Sequence, residues 1–391
     1  MPKRSSFQKN SGKMPTFLPE LVTDILLLLP VKSLLRFRCL STSHCSEIDR
    51  ADFVKNHLNI SIQTKIRQKL LFCDSESIMN GFAFDFYCAD FDDDLKAAFL
   101  LKNPLKSPHR CTMVCASYNG LILLGFRFNN LALWNPFTRR YRRLPLCPVK
   151  TLSGFQNFVN FGLGYDSTLD DYKIVTISEF HDSNHVVFQA WVFSLKSNSW
   201  KRSQDVENKF TALVGCFANG ALYWACDNKF VGFDLTNEVF FDLPLFPGWD
   251  PKSIYHHDYD ILVVFGGDPY ASIIRDEHKS VEFYLFVSDK SREVSGGSWR
   301  KEFTLEEGDL SPLAYLKEGD KILFRKGNEI FWYNLEEKTR QRVVVASPVM
   351  TDFLWITDIF GRPEVPMYNY HVCCESLVSL GSDAAFDGAP Y

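Results

Sequence analysis

Side chains able to do chemistry are scattered through this 391-residue chain rather than gathered. A metal centre needs His, Cys, Asp or Glu at strict spacing, and hydrolytic or redox chemistry needs a nucleophile beside a base, or paired carboxylates. Of the nine histidines, His181 and His185 flank Asp182-Ser183-Asn184, and His256-His257-Asp258 makes a second group. Either set offers metal-binding atoms, yet neither has the spacing of a zinc motif, and histidines in polar loops are ordinarily solvated. The eleven cysteines are odd in number and irregularly spaced. Cys111 and Cys115, or the adjacent Cys373 and Cys374, do not fit a zinc site, and the set points to a reducing compartment rather than a disulfide framework. The run Asp90 to Asp94 lacks the glycine and distal glutamate of a calcium loop and reads as a solvated acidic loop. Gly162 and Gly164 begin a Gly-x-Gly, but Tyr165-Asp166 and a polar turn follow rather than a helix, so a hairpin is expected there. With no phosphate-binding loop and no nucleophile elbow, the expectation is a protein without cofactor, metal or catalytic residues of its own.

The bulk properties exclude further classes. A hydrophobic content of 46% with 15% aromatic residues belongs to a folded chain with a sizeable core, and a net charge of −4 recommends neither nucleic acid nor an anionic membrane as partner. The basic cluster Arg139, Arg140, Arg142 and Arg143 is short enough to be the solvated side of a strand or turn. Lys3, Arg4, Lys9 and Lys13 have no apolar stretch behind them, and the aliphatic run Ile25 to Leu29 is far too short to span a membrane. A cytosolic or nuclear protein is expected.

What organises the chain is instead a helical stretch near its start. Pro19 at a first helical position, Glu20 in the first turn, and Leu18, Leu21, Val22, Ile25 and Leu29 at three- and four-residue steps predict an amphipathic helix that Pro30 ends. Leu26, Leu27 and Leu28 make it apolar nearly all round, so it must be covered on more than one face. A second helix is expected from Val31 to about Leu40, a third over Thr42 to Ile48, and a closing turn around Asp52 to Leu58. A module of about 40 residues sits near the size below which chains seldom fold unaided, so its surplus apolar surface argues for a partner.

These residues resemble an F-box: Leu18-Pro19 opens the first helix, Leu29-Pro30 closes it, and the run Lys32 to Cys39 follows. The resemblance implies docking onto the adaptor Skp1 of a cullin-RING ubiquitin ligase, with Leu18, Pro19, Leu21, Ile25, Leu29, Pro30, Leu34, Leu35 and Cys39 as the adaptor-facing set. Some of these must instead pack the first two helices together, and the sequence does not partition them. Thr42, His44 and Glu47 depart from the family, which usually has a basic residue, Trp and an apolar residue there. Weaker packing of the third helix is therefore expected.

From about Lys69 the pattern changes to short runs of Val, Ile, Phe, Tyr and Trp bounded by Gly, Asn, Asp and Pro, the signature of strands and turns. A paired-strand unit recurs at Leu131 to Pro145, Ala190 to Ser203, Phe230 to Pro244, Glu329 to Val343 and, less clearly, Glu282 to Leu305. Its turns begin at Asn135, Ser194, Asp234 and Asn334. A second strand pair precedes each unit, as at Asn119-Gly120 and Asn219-Gly220, and two pairs make the content of one β-propeller blade. Further strands are expected near Leu70 to Phe72, Phe82 to Tyr87 and Glu375 to Leu380, giving about six blades. An irregular two-sheet β structure is the alternative. Trp134, Trp191, Trp224 and Trp332 sit in apolar strand runs, and Trp200 and Trp299 follow Ser after a turn, which makes most of them core residues rather than an aromatic binding cage.

This region is similar to the plant F-box-associated domain. The similarity is carried by Ser117 to Leu121, Leu133 to Pro145, Phe161 to Asp166 with Asp170 to Val175, Asn219 to Trp224, Phe233 to Leu235 and Glu375 to Leu380. The expected fold class is therefore α+β multidomain: an all-α helical module, then an all-β, six-bladed propeller-like (kelch-type) domain. The expected division is a disordered basic arm at 1–14, the F-box at 15–58, a linker with the first strands at 59–108, the F-box-associated domain at 109–380 and a flexible tail at 381–391. The resemblance implies a non-enzymatic substrate-recognition subunit of a Skp1-cullin-F-box ligase. Its partners would be a Skp1-like adaptor, a cullin reached through it, and a protein target that the sequence does not name. A Skp1-binding scaffold or inhibitor without ligase activity, or a propeller enzyme, are the alternatives.

Overall fold

The computed structural model of the chain describes residues 18–73, 86–90, 98–105, 112–126, 130–148, 159–182, 185–206, 210, 214–226, 229–245, 261–265, 268–275, 280–288, 297–307, 310–316, 321–326, 329–343, 370–382 and 384–386. Four helices come first: α1 (Pro19–Leu27), α2 (Val31–Phe37), α3 (Thr42–Ile48) and α4 (Ala51–Thr64). The expected close near Leu58 is too early. Leu58 is buried against the β domain, so α4 continues for nearly two more turns until Lys65, at φ 56°, ends it in the left-handed region.

Strands follow in antiparallel meanders. The first is β1 (Gln68–Cys73), β2 (Phe86–Asp90) and β3 (Phe99–Leu101), and the second β4 (Met113–Tyr118), β5 (Leu121–Phe126), β6 (Asn130–Asn135) and β7 (Arg140–Arg143). Next come β8 (Val159–Asp166), β9 (Asp171–Asp182), β10 (His185–Ser194) and β11 (Ser199–Val206), then β12 (Val214–Ala218), β13 (Ala221–Ala225), β14 (Phe230–Asp234) and β15 (Val239–Asp242). These two meanders make one eight-stranded sheet, joined only where β12 runs parallel to β8 at Val214–Phe161 and Gly215–Gly162. Two more meanders are β16 (Ile261–Phe265), β17 (Asp268–Arg275), β18 (Ser280–Ser288) and β19 (Gly297–Leu305), and β20 (Ser311–Leu316), β21 (Lys321–Lys326), β22 (Glu329–Asn334) and β23 (Thr339–Val343). Finally β24 (Tyr370–Cys374) returns to pair with β1, and β25 (Ala385–Phe386) pairs with β7.

The first strand of each meander touches its counterpart in the next: β4 meets β8, β8 meets β12, β12 meets β16, β16 meets β20, β20 meets β24, and β24 meets β4. The arrangement is propeller-like, and a strand from near the C-terminus completes the sheet that the N-terminal strands begin. Closure of this kind leaves no long open edge.

Local chemistry explains the turns. The side chains of Asn135, Asp166, Asp234 and Asn334 each accept backbone N–H bonds from the residues two and three positions on, at 2.8–3.2 Å. Four residues after each, Arg139, Asp170, Glu238 and Lys338 take positive φ, which brings the chain back into register. Ser194 serves the same position through its hydroxyl, which accepts from the Ser197 N–H. The segment Glu375 to Leu380, expected as a strand, is extended but belongs to no ladder. Its carbonyls go instead to side chains, as described below.

The tryptophans divide into two classes. Trp134, Trp224 and Trp332 lie in the core with 2% exposure or less. On the outermost strands, Trp200 donates its indole N–H to the Pro145 carbonyl at 2.8 Å and Trp299 to the Pro244 carbonyl at 2.5 Å, so each links one meander to its predecessor.

Candidate functional site

The candidate site is the outer face of α1 and the joint that holds it on the β domain. Helix α1 carries two adjacent apolar stripes, and the structure separates them. Leu26 is buried with Val31, Leu34, Ile48, Phe53 and Leu377, and Val22, Leu29 and Leu35 pack against that cluster. Leu18, Leu21, Ile25 and Leu28 face outward and are 50–68% exposed. Four large aliphatic side chains in one exposed row mark an interaction surface.

The nine residues expected at the adaptor surface therefore divide. Leu18, Leu21 and Ile25 are exposed, as are Pro30 and Cys39, whose thiol donates to the Leu35 carbonyl at 3.5 Å. Pro19 occupies the first turn of α1. Leu29 and Leu35 are half-buried, and Leu34, at 0% exposure, holds the module together from inside and offers no surface. Leu28 was hidden in the sequence because an all-apolar helix does not announce which side is covered. Leu40, 68% exposed just beyond α2, was missed for the same reason.

Part of the apolar surplus is satisfied within the chain, since Leu377 and Phe137 of the β domain complete the module's core. The third helix meets its expectation of sparse apolar packing, with Ile48 as its one buried residue, but polar ties compensate. Ser41 Oγ accepts the His44 backbone N–H at 3.1 Å and lies 2.6 Å from His44 Nδ1. Thr23 Oγ1 donates to Glu47 at 3.2 Å, Arg50 pairs with Glu47 at 3.0 Å, and Arg38 pairs with Asp49 at 2.7 Å.

The joint satisfies groups that helix ends leave open. Pro30 stands at the N-cap of α2 and has no side-chain acceptor, so the Val31 N–H donates to Glu375 Oε2 at 3.1 Å, from the far end of the sequence. The other Glu375 oxygen pairs with Lys69 at 2.9 Å. Burial pulls the Lys69 ammonium down, but Glu375 and Asp90 beside it raise it to about 12. At the end of α1, Arg67 donates to the Leu27 carbonyl at 2.8 Å and His57 Nε2 to the Leu29 carbonyl at 2.9 Å, while Arg67 also donates to Ser61 Oγ at 2.7 Å. The Glu375 N–H returns to the Arg67 carbonyl at 3.0 Å.

Downstream, Asn135 Nδ2 donates to the Ser376 and Val378 carbonyls, both at 3.0 Å, and Arg142 to the Leu380 carbonyl at 3.0 Å. Lys55 of α4 pairs with Asp170 in the β8–β9 turn at 2.8 Å. The helices thus sit on the end of the ring where the turns after β4, β6 and β8 emerge. None of Glu375, Arg67 and His57 stood out beforehand, because their partners lie at distant sequence positions.

The groups weighed for chemistry of their own do not converge. Cys115 is buried, with its thiol pushed up to about 12 by that burial; Cys374 is pushed up to about 12 as well, and Cys373 well above its ordinary value. His181 and His185 occupy the ends of β9 and β10, but their side chains, like His256, His257, Asp258, Cys111 and the run 91–94, lie outside the described residues. Among the described residues no three His, Cys, Asp or Glu side chains come together to hold a metal, and no helix is long and apolar enough to cross a membrane. Gly162 and Gly164 lie on β8 and lead into the β8–β9 hairpin, as expected.

Comparison with known proteins agrees with this layout. The F-box associated beta propeller domain family matches residues 79–380. F-box protein CPR1 of Arabidopsis thaliana is 31% identical over 363 residues, covering 83% of each chain. F-box protein At4g22390 of the same plant is 25% identical over 357 residues, covering 82% of this chain and 84% of its own. With exposed apolar helices mounted on a propeller-like domain, and with plant F-box proteins as its relatives, the chain belongs to the F-box associated beta propeller family.

Proposed function

We propose that this chain is the substrate-recognition subunit of a Skp1-cullin-F-box ubiquitin ligase, its helices docking on a Skp1-like adaptor and its β domain capturing a protein target. The observation that carries this reading is the bare row of Leu18, Leu21, Ile25 and Leu28 on a helix otherwise well packed. Such a row is the pattern an amphipathic partner helix or groove covers. The subunit contributes proximity rather than chemistry, raising the effective concentration of target lysines near a reactive thioester. Work in the cytosol or nucleus goes with that role.

The β domain is read as a six-bladed propeller. The eight-stranded sheet counts as two blades, because a two-residue parallel bridge is too short to merge them, and β24 joins β1, β2 and β3 as the closing blade. With the helices on one end of the ring, the target belongs at the other, where the connections between blades leave. Those connections range from residues 306–310 to residues 344–369, and loops of unequal length on a rigid scaffold are where recognition surfaces evolve.

The test is co-purification of the full chain with a Skp1-like adaptor and a cullin, set against a Leu21→Asp, Ile25→Asp variant. Both substituted residues are exposed, so the variant keeps its fold. Wild type retains both partners and the variant loses affinity about tenfold or more. A wild-type chain that retains neither partner sinks the reading.

A further inference from the structure

The second meander differs from every other sheet among the described residues in carrying a fifth strand, the two-residue β25 on the outer edge of β7. An outermost strand presents unpaired N–H and C=O groups that invite another strand to add. Here the added strand comes from the chain's own C-terminus, which was expected to be a free tail. Ala385 lies opposite Tyr141 and Phe386 opposite Arg140.

The side chains give this edge a chemical preference. Residues 139–143 read Arg-Arg-Tyr-Arg-Arg, whereas residues 381–391 contain two aspartates and no lysine or arginine. The Arg140 guanidinium sits 5.5 Å from the centre of the Phe386 ring and donates to the Ala384 carbonyl at 3.3 Å. The tail pairs with only two of the four residues of β7. Beyond them a cleft of about 260 Å³, lined by Tyr141, Arg142, Arg143, Asn198 and Ala385, continues toward the turn of the neighbouring meander. Phe386 itself remains half exposed.

We propose that the outer edge of β7 is a docking edge for an acidic, extended peptide bearing small residues and an aromatic side chain, and that the C-terminal tail occupies it in cis. A two-residue pairing is weak in itself and persists because tethering raises its effective concentration. A longer acidic segment of a partner protein, able to pair along all of Arg140 to Arg143 and fill the cleft, displaces it. The edge is independent of the helical face, so it stands or falls apart from adaptor binding.

The probe is a fluorophore-labelled synthetic peptide of residues 381–391, read by fluorescence anisotropy at two salt concentrations. Three forms of the protein are compared: the intact chain, the chain ending at Ser382, and that shortened chain with Arg140→Glu. The intact chain with Ala385→Pro and Phe386→Asp vacates the edge without truncation and serves as a second open form. Both open forms bind the peptide about tenfold or more tighter than the intact chain, binding weakens with salt, and Arg140→Glu or a peptide with both aspartates changed to lysine abolishes it. Equal binding by open and intact forms overturns the proposal, and so does full retention in Arg140→Glu. Dimerisation of the shortened chain with no peptide binding also overturns it, by assigning the edge to a second copy.

Discussion

Trp200 donates its indole N–H to the carbonyl oxygen of Pro145, and the same bond recurs between Trp299 and Pro244 at the same separation of 55 residues. In both cases the acceptor follows a Leu that still bonds into its own sheet, Leu144 to the Leu131 carbonyl and Leu243 to the Phe230 carbonyl. Proline ends the ladder because it has no N–H, and its carbonyl is left facing the next meander. The indole is the one apolar side chain long enough to pack there while donating a hydrogen bond. Leu-Pro and Ser-Trp are therefore two halves of one inter-blade staple.

Removing the donor while keeping the ring isolates that staple. Trp299→Phe, at a site 8% exposed, lowers unfolding free energy by about 1 kcal/mol, and Trp200→Phe, whose bond is exposed, by about half of that. Urea titration of the two variants measures both. Two variants as stable as wild type would show that ring packing alone joins the meanders.

Local periodicity made the repeating units legible, since turn residues act within a few positions of themselves. The turns at Asn135, Ser194, Asp234 and Asn334, the Asn-Gly hairpins, and the buried Trp134, Trp224 and Trp332 all stand where the pattern placed them. Contacts across the sequence were not legible. Glu375 lies 344 residues from Val31, and no local rule connects a carboxylate in a β domain with the open end of a helix. For the same reason Glu375 to Leu380 passed for a strand, being apolar and alternating, when its carbonyls serve Asn135 and Arg142. The nine-residue adaptor set mixed two stripes of α1 and α2 because only the packed partner reveals which stripe is inside.

The two Asn-Gly turns offer a controlled comparison. Gly120 and Gly220 share positive φ, 76° and 83°, so an alanine at either meets the left-handed backbone cost of about 1–2 kcal/mol. Around Gly220 a new Cβ meets nothing within 4 Å, whereas at Gly120 it falls 2.5 Å from the Cys374 carbonyl and from Ser376 Oγ. Gly220→Ala is therefore destabilised by the conformational cost alone, and Gly120→Ala by roughly 1–3 kcal/mol more. Thermal melts of the two variants rank them. Equal losses would mean that the segment after β24 yields freely to the turn.

Glu375 couples the ring to the helices through two different bonds. Glu375→Gln keeps an oxygen for the Val31 N–H but strips the charge from Lys69, while Glu375→Ala removes both. The alanine variant loses about 2 kcal/mol or more, because a largely buried ammonium is left with Asp90 alone and the first turn of α2 loses its cap. The glutamine variant falls between it and wild type. Amide hydrogen exchange distinguishes a local effect from a global one: protection should fall first in α1 and α2 and remain unchanged in β12 to β15.

His57 makes the same joint sensitive to pH. It has no exposed surface, its Nε2–H is committed to the Leu29 carbonyl, and its Nδ1 has no hydrogen-bond partner. Burial holds its pKa below the ordinary 6.5, and the Arg67 charge adds to this, against smaller opposing effects from the Leu29 carbonyl and Glu375. The unfolded chain thus takes up a proton at a higher pH than the folded one. Stability from this group is complete above about pH 6.5 and is lost as pH falls from there toward the depressed folded value, at up to about 1.4 kcal/mol per pH unit. The carboxylates of Asp166 and Glu238, held low against their own burial by Lys173, with Lys201 also beside Glu238, lose their contribution only in the acid range below the ordinary carboxylate values. The two windows therefore separate. A His57→Gln variant, whose amide still donates to Leu29, should be less stable at pH 7.5 by a modest margin yet show a flatter profile between pH 7 and 5.5. Parallel profiles for the two proteins across that interval would place the pH dependence at other histidines.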